Sequence, residues 1–181
     1  MDKRSNVRML AEGGMMIALS VLLAYLPPIY QAPNGGSVTA GSMIPLLVFA
    51  IRWGIGPGFA VGATYGILDF LLKPYFYHWA QFILDYPLAY GLLGLAGIGY
   101  IRRDSSFNEY FRLILGVVLA IGGRMLSHVL SGVVFFAEYA GDQNPWLYSI
   151  GYNATYLIPE LIISIVILLL IWKPLKRTML S

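Results

Sequence analysis

Seven side chains with chemical capability sit in surroundings that are otherwise apolar: Glu12, Asp69, Asp85, Arg124, His128, Glu160 and the neutral Asn153. An ionised group inside a membrane costs several kcal/mol unless it pairs or faces a wet cavity, so each is a functional candidate by position alone. Depth sorts them. At about 1.5 Å per helical residue, Asp85 falls roughly 9 Å, His128 roughly 14 Å and Asn153 roughly 8 Å below the ends of their helices on one common side. Three different helices thus bring polar groups into one half of the membrane, which describes a pocket opening to that side.

Spacing within the helices agrees. His128, Gly132 and Phe136 recur every four residues and share a face, with Gly132 leaving room beside an imidazole and a ring. Asn153 and Glu160 nearly align along their helix with Tyr156 between them, and Pro159 frees a carbonyl one turn back. Arg124 and Glu160 lie at similar depth, which predicts a structural ion pair between their helices. Asp69, near a helix end, is placed to reach the headgroups. A carboxylate among Tyr and Phe rings with little basic charge nearby suits a small aromatic cation, since each desolvated ring attracts a cation by about 0.5–2 kcal/mol. A carboxylate and an amide side chain then orient a heterocycle by hydrogen bonds.

Such residues need a membrane scaffold, and the composition supplies one. Of 181 residues 58% are apolar and 12% charged, with a mean hydropathy of +0.69. A soluble domain carries about a quarter charged residues. The shortfall excludes a soluble globular enzyme, a disordered chain and a nucleic-acid binder. It predicts an all-α polytopic membrane protein, a six-transmembrane-helix bundle forming one integral membrane domain. A hydrocarbon core of about 30 Å needs about 20 helical residues. Spans are expected at 7–27, 39–53, 55–72, 79–101, 110–137 and 148–172, the second a short, tilted or partly inserted helix. Most breaks between them carry Pro and Gly turn chemistry.

Lys3, Arg4, Arg8, Arg52, Arg102, Arg103, Arg112, Lys173, Lys176 and Arg177 all fall on one side if six spans alternate, with Lys73 on the other. That asymmetry predicts both termini cytoplasmic. The opposite loops are aromatic instead: Tyr30, then Tyr75, Phe76, Tyr77 and Trp79, then Trp146 and Tyr148. Any one ring reads as an interfacial belt; three clusters on one side read as the rim of a pocket. The first apolar run lacks a small-residue cleavage site and carries Glu12, Gly13 and Gly14, so it is expected to be a retained span.

The chain has no cysteine, which excludes disulfides, thiolate metal sites and a cysteine nucleophile together. It has no P-loop, no H-E-x-x-H and no G-x-S-x-G, so no cofactor or metal is expected and any ATP hydrolysis must belong to another subunit. Gly14 and Ala18 form a small-xxx-small step on the first span, continued loosely by Ser20 and Ala24, where a partner helix can approach closely.

The stretches W-A-Q-F-I-L-D-Y-P-L-A-Y-G (Trp79 to Gly91), R-M-L-S-H-V-L-S-G-V-V-F-F (Arg124 to Phe136) and Y-N-A-T-Y-L-I-P-E (Tyr152 to Glu160) resemble the thiamine-specific substrate-binding subunit, or S component, of energy-coupling-factor (ECF) transporters. Chain length, six spans and the early G-x-x-x-A step resemble that family too. The resemblance implies a bacterial cell-membrane uptake system in which this subunit captures thiamine outside and works with a membrane coupling subunit and two cytosolic ATPases. It implies that Asp85 and Tyr86 engage the aminopyrimidine, that His128 and Phe136 flank the thiazolium beside Gly132, and that Tyr148, Asn153 and Tyr75 complete the pocket. Departures accompany it: the acid is often Glu and the fifth-span aromatic often Trp, and the stretch from Gln31 to Gly36 offers no counterpart to the family's first-loop ring. Three other readings stay open: an S component for another vitamin, an intramembrane enzyme using Asp69 or Asp85 with His128, and a structural subunit that binds no small molecule.

Overall fold

The computed structural model describes residues 3–33, 35–99 and 109–180. Arg102 and Arg103, assigned above to the cytoplasmic side, lie outside the described residues. Helix α1 is Lys3–Ala24 and leads into a small antiparallel hairpin of β1, Tyr30–Gln31, and β2, Ser37–Val38. Then come α2, Ile44–Trp53, and α3, Ile55–Leu72, separated only by Gly54. Helix α4 covers Trp79–Gly99, α5 is Glu109–Phe135 and α6 is Pro145–Leu180, with a 3-10 turn at Ala137–Ala140 between the last two.

Five of these helices, α1, α3, α4, α5 and α6, are long and apolar enough to cross a membrane. Their outer surfaces are as apolar as their cores, with Leu22, Leu71, Leu126, Val134 and Leu170 all exposed. The expected second span, 39–53, holds a helix shorter than its bounds. Its helix has ten residues, about 15 Å of rise, half of what the hydrocarbon core demands. Its residues Pro45 to Ile51 are all buried, and it carries the chain through the core from the β-hairpin to Arg52, which pairs with Glu12 at the opposite end. Hydropathy cannot separate a buried helix from a spanning one when both are equally apolar. The other bounds shift as well: α1 ends at Ala24, three residues early, and α6 begins at Pro145 and runs past the expected 172.

Close backbone approach organises the interior. On α3, Gly58, Gly62 and Gly66 stand one turn apart and face the backbone of α4. A Cβ at Gly62 would lie 2.2 Å from the Tyr90 carbonyl oxygen, and one at Gly66 2.4 Å from that of Tyr86. Only hydrogen fits, and dispersion between two nearly touching backbones holds the pair. The small-residue stripe that organises the interior is therefore on α3, whereas the step at Gly14 and Ala18 leaves α1 open on that face, both residues being exposed.

Helix α4 is irregular where it matters. Leu84–Leu88 forms a π turn around Pro87, between an α-helical start and a 3-10 finish over Leu92–Gly99. Proline has no N–H to give the ladder, and a π turn widens the helix by one residue. Beside it, Ser127 Oγ of α5 donates to the Leu84 carbonyl at 2.6 Å. The widened turn carries Asp85 and Tyr86.

Candidate functional site

A cavity of about 760 Å³ opens between α3, α4, α5, α6 and the β-hairpin, a size typical of small-molecule sites. All eight residues expected to bind a ligand line it: Tyr75, Asp85, Tyr86, His128, Gly132, Phe136, Tyr148 and Asn153. The rest of the lining includes Asp69, Gln81, Arg124, Ser131, Tyr156 and Glu160.

Asp85 is the centre of the hydrogen bonding. Its Oδ2 accepts from Gln81 Nε2 at 2.7 Å and from Ser131 Oγ at 2.8 Å, and its Oδ1 lies 3.0 Å from His128 Nδ1. Gln81 sits one turn earlier on α4 and is fully buried. Its Oε1 accepts from the Tyr77 N–H, so the side chain also ties the incoming loop to the acid. Ser131 lies three residues after His128 on α5. Neither Gln81 nor Ser131 stands out in sequence, because uncharged polar residues are common in apolar runs. The i, i+4 relation of Gln81 to Asp85 is the signal that would have found it.

Phe136 has just left α5, yet its N–H still donates to the Gly132 carbonyl at 3.0 Å, which keeps its ring near the face of His128. The ring lies 5.9 Å from Tyr75, 5.7 Å from Tyr77 and 6.0 Å from Tyr139, an aromatic rim drawn from two loops. The neighbouring Tyr139 hydroxyl, with partial desolvation, pushes the Tyr75 phenol above the ordinary range. Tyr148, Tyr152 and Tyr156 climb α6, the first two stacked at 15°. Asn153 Nδ2 donates to the Ser149 carbonyl at 2.8 Å, and its Oδ1 accepts from Tyr156 Oη.

Three expectations change. Gly132 leaves no vacant space for a ligand ring: a Cβ there would meet Ser149 Oγ at 2.2 Å, so the missing side chain lets α6 approach α5. Among the described residues no ion pair joins Arg124 to Glu160. Glu160 Oε1 instead accepts from Thr39 N at 2.5 Å and Thr39 Oγ1 at 2.7 Å, anchoring the exit of the β-hairpin, while Arg124 lies 4.1 Å over the Tyr90 ring. Asp69 faces the cavity rather than the headgroups, its Oδ2 accepting from Tyr90 Oη at 3.1 Å.

The lining also contains more basic charge than expected, Lys73 and Arg124 against Asp69, Asp85 and Glu160. Lys73 is turned aside, donating to the Ala24 carbonyl at 3.0 Å and covering the Tyr25 ring. The first loop contributes backbone and Gln31 to the cavity: Gly36 donates its N–H to Tyr152 Oη at 3.3 Å and lies flat against Tyr156. At the far end of the bundle, Glu12 forms a separate cluster with Arg8, Arg52 and Trp53.

Residues 10–180 match the model of the family described as Thiamine transporter protein. Thiamine transporter ThiT of Bacillus subtilis (strain 168) is 33% identical over 190 residues, covering 100% of this chain and 98% of that protein. Its counterpart in Lacticaseibacillus paracasei is 25% identical over 178 residues, covering 92% of this chain and 88% of that one. Among solved structures, ThiT from Listeria monocytogenes superposes with a TM-score of 0.79 at 24% identity, over 97% of this chain and 98% of the other. A structure described as the S component of a bacterial ECF transporter superposes at 0.62 with 20% identity, over 96% and 98%. These relatives are transporter proteins rather than enzymes, and the several apolar helices fit a multi-pass membrane protein. The chain belongs to the thiamine transporter protein family.

Proposed function

We propose that this chain is the thiamine-binding S component of an ECF uptake transporter in a bacterial cell membrane, one integral membrane domain with both termini cytoplasmic. The observation that carries the reading is the Asp85 carboxylate, set in an aromatic-rimmed cavity and hydrogen-bonded by Gln81 and Ser131, which add no charge. A cationic thiazolium joined to an aminopyrimidine matches both halves of that description: rings for the cation, a carboxylate for the amine. Tyr75, Asp85, Tyr86, His128, Gly132, Phe136, Tyr148 and Asn153 form the site. In the connectivity, the cavity lies at the end carrying the β-hairpin and the loops before α4 and α6. Arg4, Arg8, Arg52, Arg112 and Lys176 lie toward the other end, which supports an outward-facing cavity.

The chain itself uses no cofactor. A membrane coupling subunit and two cytosolic ATPases supply the energy, and Gly14 and Ala18 on α1 form the docking face. The test is a titration of purified protein in detergent with thiamine and a panel of other vitamins, without ATP. Saturable binding of thiamine alone is expected. Preference for another vitamin would move the assignment within the S components, and absence of any binding in folded protein would overturn it.

A further inference from the structure

His128 is held between two neighbours with opposite demands. Its Nδ1 lies 3.0 Å from Asp85 Oδ1, and its Nε2 lies 3.2 Å from Arg124 Nε. A guanidinium has N–H groups and no acceptor, so a hydrogen bond from Arg124 requires a bare lone pair on Nε2. The single imidazole proton then sits on Nδ1 and is donated to Asp85. An imidazolium would set two donors against each other at Nε2 and place like charges one helical turn apart. We infer that Arg124 is a positioning residue that keeps His128 as the neutral, Nδ1-protonated imidazole, leaving the charge of Asp85 free to face a cationic ligand.

The surroundings of the ring make this a specific role. Asp85 from α4 and Asp69 from α3 both welcome a second proton on His128. From α6, Tyr156 meets the ring edge-on at 6.4 Å between centroids, and Glu160 adds negative charge further off. Arg124, itself lying on the Tyr90 ring, is the cation that opposes them. Without it, His128 and Asp85 become an ion pair, and the pocket loses the uncompensated carboxylate on which capture of a cation depends. Charge counting alone gives the opposite sign, because deleting Arg124 removes a positive charge from the cavity and should tighten binding of a cation.

The inference rests on the thiamine reading for its consequence but not for its first measurement. Histidine 15N NMR of the full chain in detergent, free of ligand, separates protonated ring nitrogens from bare ones. The chain has two histidines, and His78 Nδ1 accepts from the Ala80 N–H, so the neutral His78 carries its proton on Nε2. The two rings are thus expected as opposite tautomers, and His78→Asn assigns them. His128 should remain neutral and Nδ1-protonated as the pH is lowered from 8 to about 6. Arg124→Lys, still a donor without an acceptor, should preserve this. Arg124→Met should let the ring take up a second proton as the pH falls through that range, and thiamine affinity should drop about ten-fold from its upper to its lower end, while the unsubstituted and Lys proteins stay within about two-fold.

An imidazolium or an Nε2-protonated His128 in the unsubstituted protein at pH 7 would overturn the inference. So would an Arg124→Met protein with a neutral ring and pH-independent binding, or one that binds thiamine more tightly throughout. The unsubstituted spectrum decides even if Arg124→Met does not fold. Failure to bind thiamine would sink the functional reading while leaving the ring measurement standing.

Discussion

Two carboxylates in this chain are each surrounded by three donors, and they do different things. Glu12 accepts from Arg8 Nε at 3.0 Å and Trp53 Nε1 at 2.8 Å, and it is ion-paired to Arg52, whose Nε lies 3.1 Å away. Asp85 is met by Gln81, Ser131 and His128 at similar distances. The count of partners is equal; their charge is not. Two cations neutralise Glu12, and the cluster closes as a clamp between α1 and the end of α2. With a neutral His128, none of the partners neutralises Asp85, so its hydrogen bonds are satisfied while its charge is left to act on the cavity. Satisfying an acid and neutralising it are separable, and a cation-binding site is made where only the first is done.

The sharpest way to break this contrast is Asp85→Asn. The amide keeps the size but loses the charge, and it brings an N–H₂ group among neighbours that already donate. Loss of a charge-assisted bond to a buried partner costs about 1.5–3 kcal/mol, roughly ten- to a hundred-fold in thiamine affinity by titration calorimetry. The thermal midpoint of the ligand-free protein should fall modestly, because one donor is set against others. Glu12→Gln is the mirror experiment. It should leave affinity alone and destabilise the fold by about 1–3 kcal/mol, since Arg52 loses its counter-charge in a half-buried place. An Asp85→Asn protein with unchanged affinity, or a Glu12→Gln protein with weakened binding, would erase the distinction.

A smaller effect probes the rim. Phe136→Ala removes the ring shared by Tyr75, Tyr77 and Tyr139, and one desolvated cation–π contact is worth about 0.5–2 kcal/mol, roughly two- to thirty-fold in affinity. Phe136→Trp should tighten binding, because indole is the stronger cation partner. Equal affinities for Phe, Ala and Trp at this position would remove the ring from the site.

Charge made the site legible in sequence. Asp85, His128 and Asn153 are conspicuous because they are costly in an apolar run, and depth arithmetic alone brought them to one level. What stayed hidden was neutral or distant. Gln81 and Ser131 are ordinary residues until the fold sets them against Asp85, and Thr39 meets Glu160 across 121 residues of chain. Arg124 and Glu160 were paired by depth, yet depth says nothing about rotation around two helices. The extent of helix α2 was overdrawn for a similar reason, since apolarity reports burial and membrane contact alike. Pro87 and the π turn it accompanies went unread, as did Ser127, which meets the Leu84 carbonyl from another helix. The stripe of Gly58, Gly62 and Gly66 went unread in the sequence, where the step at Gly14 and Ala18 drew attention, and its partner, the backbone of α4, emerges only from the structure.

The smallest expected change in binding comes from a small-residue step that touches nothing. A Cβ built on Gly14 meets no atom within 4 Å, and Ala18 one turn on is exposed, so this face of α1 makes no contribution to the interior. Neither residue lines the cavity. Gly14→Leu should therefore leave both thiamine affinity and thermal midpoint unchanged, apart from a gain of a few tenths of a kcal/mol in α1 from replacing a helical glycine. In cells the same substitution should abolish thiamine uptake, because a leucine fills the groove that a coupling helix needs for close approach. The contrast with α3 supplies the control: Gly62→Ala forces a methyl against the Tyr90 carbonyl, and it should destabilise the protein and weaken binding together. If Gly14→Leu lowered binding and stability as Gly62→Ala does, the α1 step would belong to the fold, and the docking face would have to be sought elsewhere on the bundle.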